Sequence, residues 1–182
     1  MDTNKQKKPS SRLKHRMMLG FTLLEVMTVV TIMGKIPQGS FTVVKQKGVE
    51  TQCKLNMQQM GQALTMYMLE NDAFPDASFF SSDPSGDPKS INNVLSTIPK
   101  KMWICPSSPP ELAKHGLTYI YNDNLAGKRA VANPSKTWVL IEVNAVSKVS
   151  PMPHPGGYNI LFADGHVATS RSLPPDVAKA RR

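Results

Sequence analysis

A single acidic residue, Glu25, lies inside an apolar run that extends from Phe21 to Met33. An ionisable side chain in such a segment is costly to desolvate and usually serves a function together with a charged partner. The alternative is that Glu25 marks the polar edge of an amphipathic helix. The residues just before the run are strongly basic, which is the layout of a segment that directs a chain to a membrane.

A second group of residues that could bind a metal or act in catalysis lies near the carboxyl end, where His154 precedes Asp164 and Gly165. The apolar residues that begin at Tyr158 predict a strand between them, and about six strand steps span roughly 20 Å. The histidine then lies before the start of this strand, and the aspartate lies at its far tip. We therefore expect no shared metal or catalytic site. Asp164 and Gly165 are expected to form a turn, and His154 to begin the loop that leads into the strand.

No other pattern indicates an enzyme, a metal or a cofactor. The sequence has no phosphate-binding glycine loop and no nucleophile or zinc-protease motif. Cys105 lies between Ile104 and Pro106, so no base stands beside it. Calcium is the alternative to the absence of a metal, because a turn-rich loop contains Asp83 and Asp87 and calcium binds carboxylate oxygens. A twelve-residue calcium loop is absent there.

The distribution of charge argues against a basic nucleic-acid-binding domain. The 182 residues, 40% of them hydrophobic, suffice for one folded domain at about 100–200 residues per domain. The formal net charge is +9, but the first twenty residues contain six bases and one acid and so carry more than half of it. The remainder is only mildly basic, so nucleic acid is not the expected partner.

A long helix and a small sheet must position these residues. An apolar stripe with spacings of three and four residues predicts a helix that ends at Asn71 and Asp72. Short apolar runs then predict four strands, at residues 117–121, 137–143, 158–162 and 167–170. The helical stripe is formed by Val49, Cys53, Met57, Met60, Leu64 and Tyr67.

The predicted fold class is α+β: a helix from Phe21 to about Glu70, both membrane anchor and spine, packs on an antiparallel sheet of three or four strands. Asp164-Gly165 between two strands predicts a two-residue hairpin in which both residues have positive φ. In the second strand, the face formed by Val139, Ile141 and Val143 is expected to pack on the helix, because it is nearly all aliphatic.

The string Gly20-Phe21-Thr22-Leu23-Leu24-Glu25-Val26 resembles the processing site of type IV prepilins and type II secretion pseudopilins. The resemblance implies a pilin-like fold, a cut between Gly20 and Phe21 by the prepilin peptidase, and N-methylation of Phe21 by the same enzyme. Glu25 is then the assembly residue, which meets the Phe21 amine of a neighbouring subunit. The implied partners are this peptidase, other pilin-like subunits and the inner membrane.

The same resemblance divides the chain into three parts. Residues 1–20 form a cytoplasmic leader that is removed, and residues 21–44 form the membrane and assembly segment. Residues 45–182 form a globular domain in the periplasm or outside the cell. The implied location is the bacterial inner membrane, crossed once, with possible assembly into a pseudopilus.

A second resemblance covers the carboxyl end. A histidine, nine further residues and then Asp-Gly, here His154, Asp164 and Gly165, is similar to the tail signature of a prepilin-type, processing-associated family. Cys105-Pro106-Ser107 is similar to another string of that family. This resemblance implies fold and membership rather than an activity.

The two cysteines, Cys53 and Cys105, both follow the anchor, so the implied topology places them where disulfides persist. A bridge would pin the segment around Cys105 to the long helix. The alternative is two buried free thiols that pack as small apolar side chains.

Three function classes remain open at this point. The first is a structural subunit of a type II secretion or type IV pilus-like assembly. The second is a minor pilin that contacts DNA or a surface, and the third is a solitary membrane-anchored binding protein. None of the three is an enzyme.

Overall fold

A computed structural model describes residues 22–33 and 38–181. Contacts divide the chain into two units, one up to Ser40 and one from Phe41 onward. Gly20 and Phe21, which form the predicted cleavage and methylation site, lie outside the described residues. The helices are α1 (Leu23–Met33), α2 (Gln38–Asn71), α3 (Ile91–Val94), α4 (Pro110–Lys114) and α5 (Pro175–Ala180), and the strands are β1 (Tyr119–Tyr121), β2 (Trp138–Glu142), β3 (Tyr158–Phe162) and β4 (Val167–Ser170).

Helix α1 begins with a reciprocal pair of hydrogen bonds between Thr22 and Glu25. The Thr22 backbone N–H donates to Glu25 Oε2 at 2.8 Å, and the Glu25 backbone N–H donates to Thr22 Oγ1 at 3.3 Å. This is a capping box, which satisfies amide groups that the first helical turn leaves without partners. No helix among the described residues combines the length and the hydrophobicity that a membrane crossing requires.

Helix α2 supplies the long helical element of the larger unit. It ends at Asn71, as the sequence predicted, and Asp72 follows with a φ of 55°. Four residues of the predicted stripe are buried. The sequence predicted one helix from Phe21, and the structure describes two helices, α1 and α2, with residues 34–37 outside the described residues. The buried stripe residues are Cys53, Met57, Met60 and Leu64.

The four strands form one antiparallel sheet in the order β1-β2-β3-β4. Each lies within its predicted range, so the strand predictions are confirmed. Helix α2 approaches the sheet closely at Gly61, where an added Cβ would lie 2.9 Å from Leu161 Cδ1 and 3.4 Å from the Gly165 carbonyl oxygen. A methyl group at this position would therefore require the Leu161 side chain to shift.

The predicted orientation of β2 is wrong in part: Val139 packs with the α2 stripe as expected, but Ile141 and Val143 do not. The simple alternation is broken by a register shift between Trp138 and Leu140. Leu140 shares a buried cluster with the α2 stripe, whereas Ile141 belongs to a second cluster on the other face of the sheet. That face is covered by α5 through Val177, and the Trp138 indole N–H donates to Asp176 Oδ2 at 2.8 Å. With both faces buried, the aliphatic side of the strand no longer identifies the helix-facing side.

The β3–β4 hairpin lies where the sequence predicted it, but its turn differs. Gly165 has a φ of 87°, and Asp164 is not among the described residues with positive φ. The Gly165 N–H donates to the Phe162 carbonyl at 2.9 Å, and the Phe162 N–H donates to the His166 carbonyl at 3.0 Å. This is a three-residue loop, in which a type I turn is followed by one left-handed residue, so only the glycine needs positive φ.

Candidate functional site

Four buried side chains that could bind a metal ion meet between α2 and the sheet: Cys53, Cys105, Glu142 and His154. Their sulfur, carboxylate and imidazole atoms all lie within 4.8 Å of one another. We call this group the Cys–Glu–His cluster. Cys53 belongs to α2, and Cys105 lies in the loop after the helical turn Lys100–Trp103. Glu142 is the last residue of β2, and His154 lies in the loop before β3.

A disulfide links Cys53 to Cys105, whose Cα atoms lie 5.5 Å apart. Cys53 belongs to the buried stripe of α2, which fixes its direction toward the sheet. The Cys105 backbone N–H donates to Thr118 Oγ1 at 2.7 Å, and this bond holds the loop beside the start of β1. The bridge therefore ties the loop to α2, as expected for a bond between these two segments.

Glu142 and His154 form a buried pair beside the disulfide. His154 Nε2 lies 2.7 Å from Glu142 Oε1, and both side chains are almost completely inaccessible. Because an ionised carboxylate only accepts hydrogen bonds, the Nε2 atom carries a proton in this arrangement. The Asn159 backbone N–H donates to the other carboxylate oxygen at 2.9 Å, so Glu142 is held at both oxygens.

The electrostatic effect of Glu142 extends to its neighbour in β1. Tyr119 pairs with Glu142 in the sheet and is fully buried. Burial raises the pKa of the Tyr119 phenol far above its usual range, and the negative charge of Glu142 raises it further. The tyrosine is therefore neutral and does not serve as a base.

A surface cleft of about 530 Å³ lies over the outer edge of the cluster. His154 and Ser107 both line it, and Ser107 Oγ lies 3.4 Å from His154 Nδ1. One ring nitrogen of His154 thus faces the interior pair, and the other faces the cleft side. Lys45 and Val49 of α2 line the opposite wall.

Asp164 does not share this site. It lies in the β3–β4 turn, whereas His154 lies before the start of β3. Asp164 Oδ1 is 2.5 Å from His166 Nδ1, and the hydrogen bond from His166 holds the pKa of Asp164 below its usual range. The histidine and aspartate of the tail motif thus occupy different ends of one strand.

The loop considered for calcium uses its carboxylates to bind its own backbone. Asp83 Oδ1 accepts the backbone N–H groups of Ser85 and Gly86, each at 3.1 Å. Asp87 Oδ1 accepts the Lys89 N–H at 2.8 Å. These are turn-forming interactions of the kind that aspartate makes in loops.

Sequence reasoning missed Glu142 as a site residue. The available signal was an acid at the end of the otherwise apolar run 138–143, where a carboxylate is expected to have a buried partner. Its partner, however, comes from a loop twelve residues later, and the cysteines come from two further segments. Spacing alone does not reveal such a meeting.

Comparisons with protein-family models, with curated proteins and with solved structures find no match for this chain.

Proposed function

We propose that this protein is a pilin-like structural subunit of a type II secretion or type IV pilus-like assembly and not an enzyme. The observation that carries the proposal is the string from Gly20 to Val26, with its basic leader and its single acid. Helix α1 adds support because its apolar side chains are open to contact: Leu23, Leu24 and Ile32 are 80%, 74% and 70% exposed. The proposed location is the inner membrane, with the globular domain outside the cytoplasm.

Cleavage after Gly20 would expose a positively charged amine on Phe21, which is then methylated. Four residues separate Phe21 from Glu25, which is about one helical turn. The carboxylate of one subunit can therefore meet the amine of the next subunit at matched depth. The apolar faces supply attraction without direction, whereas this charge pair sets the axial register between subunits.

The capping box gives Glu25 a second role, which must be separated from assembly. Its carboxylate accepts hydrogen bonds from the Thr22 backbone and hydroxyl group, at 2.8 and 3.0 Å. Glutamine retains an acceptor oxygen for these bonds but has no charge. Thr22→Ala removes the hydroxyl group and leaves the charge of Glu25 in place.

The experiment compares incorporation of the wild type, Glu25→Gln, Glu25→Ala and Thr22→Ala into pelleted or crosslinked assemblies at equal membrane levels. We expect incorporation of both Glu25 variants to fall at least about tenfold, because the Phe21 amine of the neighbouring subunit is left without its partner. Thr22→Ala should incorporate nearly as well as the wild type. Wild-type incorporation of Glu25→Gln would contradict the charge-pair role and would favour a solitary anchored protein.

A further inference from the structure

We propose that the Cys–Glu–His cluster is a zinc site in the dithiol form of the chain, and that the Cys53–Cys105 disulfide is the alternative state of the same site. Zn²⁺ would be held by the two thiolates, His154 Nε2 and a Glu142 carboxylate oxygen. Residue spacing does not predict this zinc site, because the four ligands come from four separate segments. The proposal does not depend on the assembly function.

The donor set is the first argument. Zinc binds cysteine, histidine and carboxylate ligands in a tetrahedron, with bonds of about 2.0–2.3 Å, so its donor atoms lie about 3.3–3.8 Å apart. Cys105 Sγ already lies 3.7 Å from His154 Nε2. The two sulfur atoms and the His154–Glu142 pair would each separate by roughly 0.5–2 Å to admit the ion. Two thiolates and an imidazole select zinc over the hard cations calcium and magnesium.

The surroundings of the ligands are the second argument. A histidine that binds zinc through Nε2 keeps its proton on Nδ1 and needs an acceptor there, and Ser107 Oγ lies 3.4 Å from that atom. A carboxylate ligand is itself held by hydrogen bonds, and Asn159 donates its backbone N–H to Glu142 Oε2 at 2.9 Å. Thr169 in turn donates to Asn159 Oδ1 at 2.7 Å. The outer ligand contacts that a zinc site requires are thus in place.

The disulfide alone does not account for the pair beside it. Burying a carboxylate and an imidazole costs desolvation energy that a well-packed apolar pair would not. Nothing about an S–S bond requires ionisable neighbours, yet Glu142 and His154 each place a potential ligand atom within 4.8 Å of both sulfur atoms. A cation at this point would interact favourably with the carboxylate and both thiolates. The cleft beside Ser107 and His154 provides a route for the ion to reach the cluster.

The two states are related by a balanced redox step. A phosphine reductant breaks the S–S bond with two electrons and becomes a phosphine oxide, taking oxygen from one water molecule. The two protons of that water end on the two sulfur atoms. Zinc binding then forms two Zn–S bonds and releases those protons to the solvent. A newly synthesised chain has the same dithiol before any oxidation.

The first test uses the full wild-type chain in detergent, in oxidised and phosphine-reduced forms, titrated with Co²⁺ and then Zn²⁺. We expect the reduced chain to bind one Co²⁺ with a thiolate-to-cobalt charge-transfer band that Zn²⁺ abolishes. The oxidised chain should show no such band. Absence of the band in the reduced chain, or equal binding by both forms, would overturn the proposal. This comparison needs no substitution, so misfolding of a variant cannot explain its outcome.

The second test assigns the ligands. His154→Gln should weaken zinc binding by more than about 100-fold, and Ser107→Ala by about 10- to 100-fold, since outer contacts have that effect. The matched control is His166→Gln, which alters an exposed histidine that also pairs with a carboxylate. Retention of wild-type affinity by His154→Gln, or equal loss in His166→Gln, would contradict the assignment. Circular dichroism of each oxidised variant shows whether it retains the fold.

Discussion

Replacing Glu142 with alanine in the disulfide form should strongly destabilise the folded domain. The change removes the acceptor for His154 Nε2 at 2.7 Å and for the Asn159 backbone N–H at 2.9 Å. Breaking a buried pair by deleting one partner costs about 3–5 kcal/mol. For a chain of this size, each kcal/mol lowers the Tm by about 2–4 °C, so the Tm should fall by about 6–20 °C.

Two matched variants separate the causes of this loss. Glu142→Gln keeps an acceptor oxygen for the Asn159 N–H and loses the charge, so we expect a smaller cost of about 1–3 kcal/mol. Glu111→Ala removes a surface acid whose side chain is 81% exposed and lies 3.3 Å from Lys114 Nζ. Such exposed pairs contribute about 0–1 kcal/mol.

The assay is thermal unfolding of the full chain in detergent, followed by far-ultraviolet circular dichroism. A chelator and non-reducing buffer keep metal out and the disulfide intact. The expected order of Tm is wild type and Glu111→Ala, then Glu142→Gln, then Glu142→Ala. If Glu142→Ala unfolds at the same temperature as Glu111→Ala, the buried pair does not stabilise the fold as argued.

Three further predictions concern other parts of the domain. Gly157→Ala should cost at least about 1–3 kcal/mol of unfolding free energy, measured by Tm, because its φ is 123° and its Cβ would overlap a carbonyl group of β4; a Tm equal to that of the wild type would refute this. Removing the bridge with Cys53→Ser and Cys105→Ser should lower the free energy of unfolding by about 4 kcal/mol, since the bond closes a loop across 52 positions; a denaturant midpoint unchanged in non-reducing buffer would contradict this. The Asp164 carboxylate should titrate below the usual aspartate range and return toward it in His166→Ala, as followed by nuclear magnetic resonance; its stabilising effect exists above the usual pKa and disappears as pH falls through the lowered one. An identical titration in both proteins would exclude the hydrogen bond as the cause.

The sequence was sufficient to locate the main elements of the larger unit. The stripe that contains Cys53 and Met57 has a clear helical period, and the four strand patterns are short apolar runs between turn residues. These are local signals, so they survive folding with little change. The hairpin at Asp164 and Gly165 was located for the same reason, although its turn has one more residue than predicted.

What the sequence could not provide was the meeting of distant segments. In the sequence, Glu142 is one residue at the end of an apolar strand. The side of the sheet on which its side chain lies depends on which face α2 covers, and the sequence does not determine that. Helix α5, which contains Val177, buries the face of the sheet opposite to α2, and no local sequence pattern predicts that packing. The proximity of Cys105, His154 and Glu142 likewise follows from the order of strands in the sheet rather than from their spacing.

Processing at the amino end is tested most directly by the intact mass of the protein extracted from its native membrane. The account predicts a chain that begins at Phe21 and carries one added methyl group on its amine. A Gly20 substitution with a bulky residue should leave the leader attached. A protein that still begins at Met1, in a membrane where other prepilins are cut, would contradict the account.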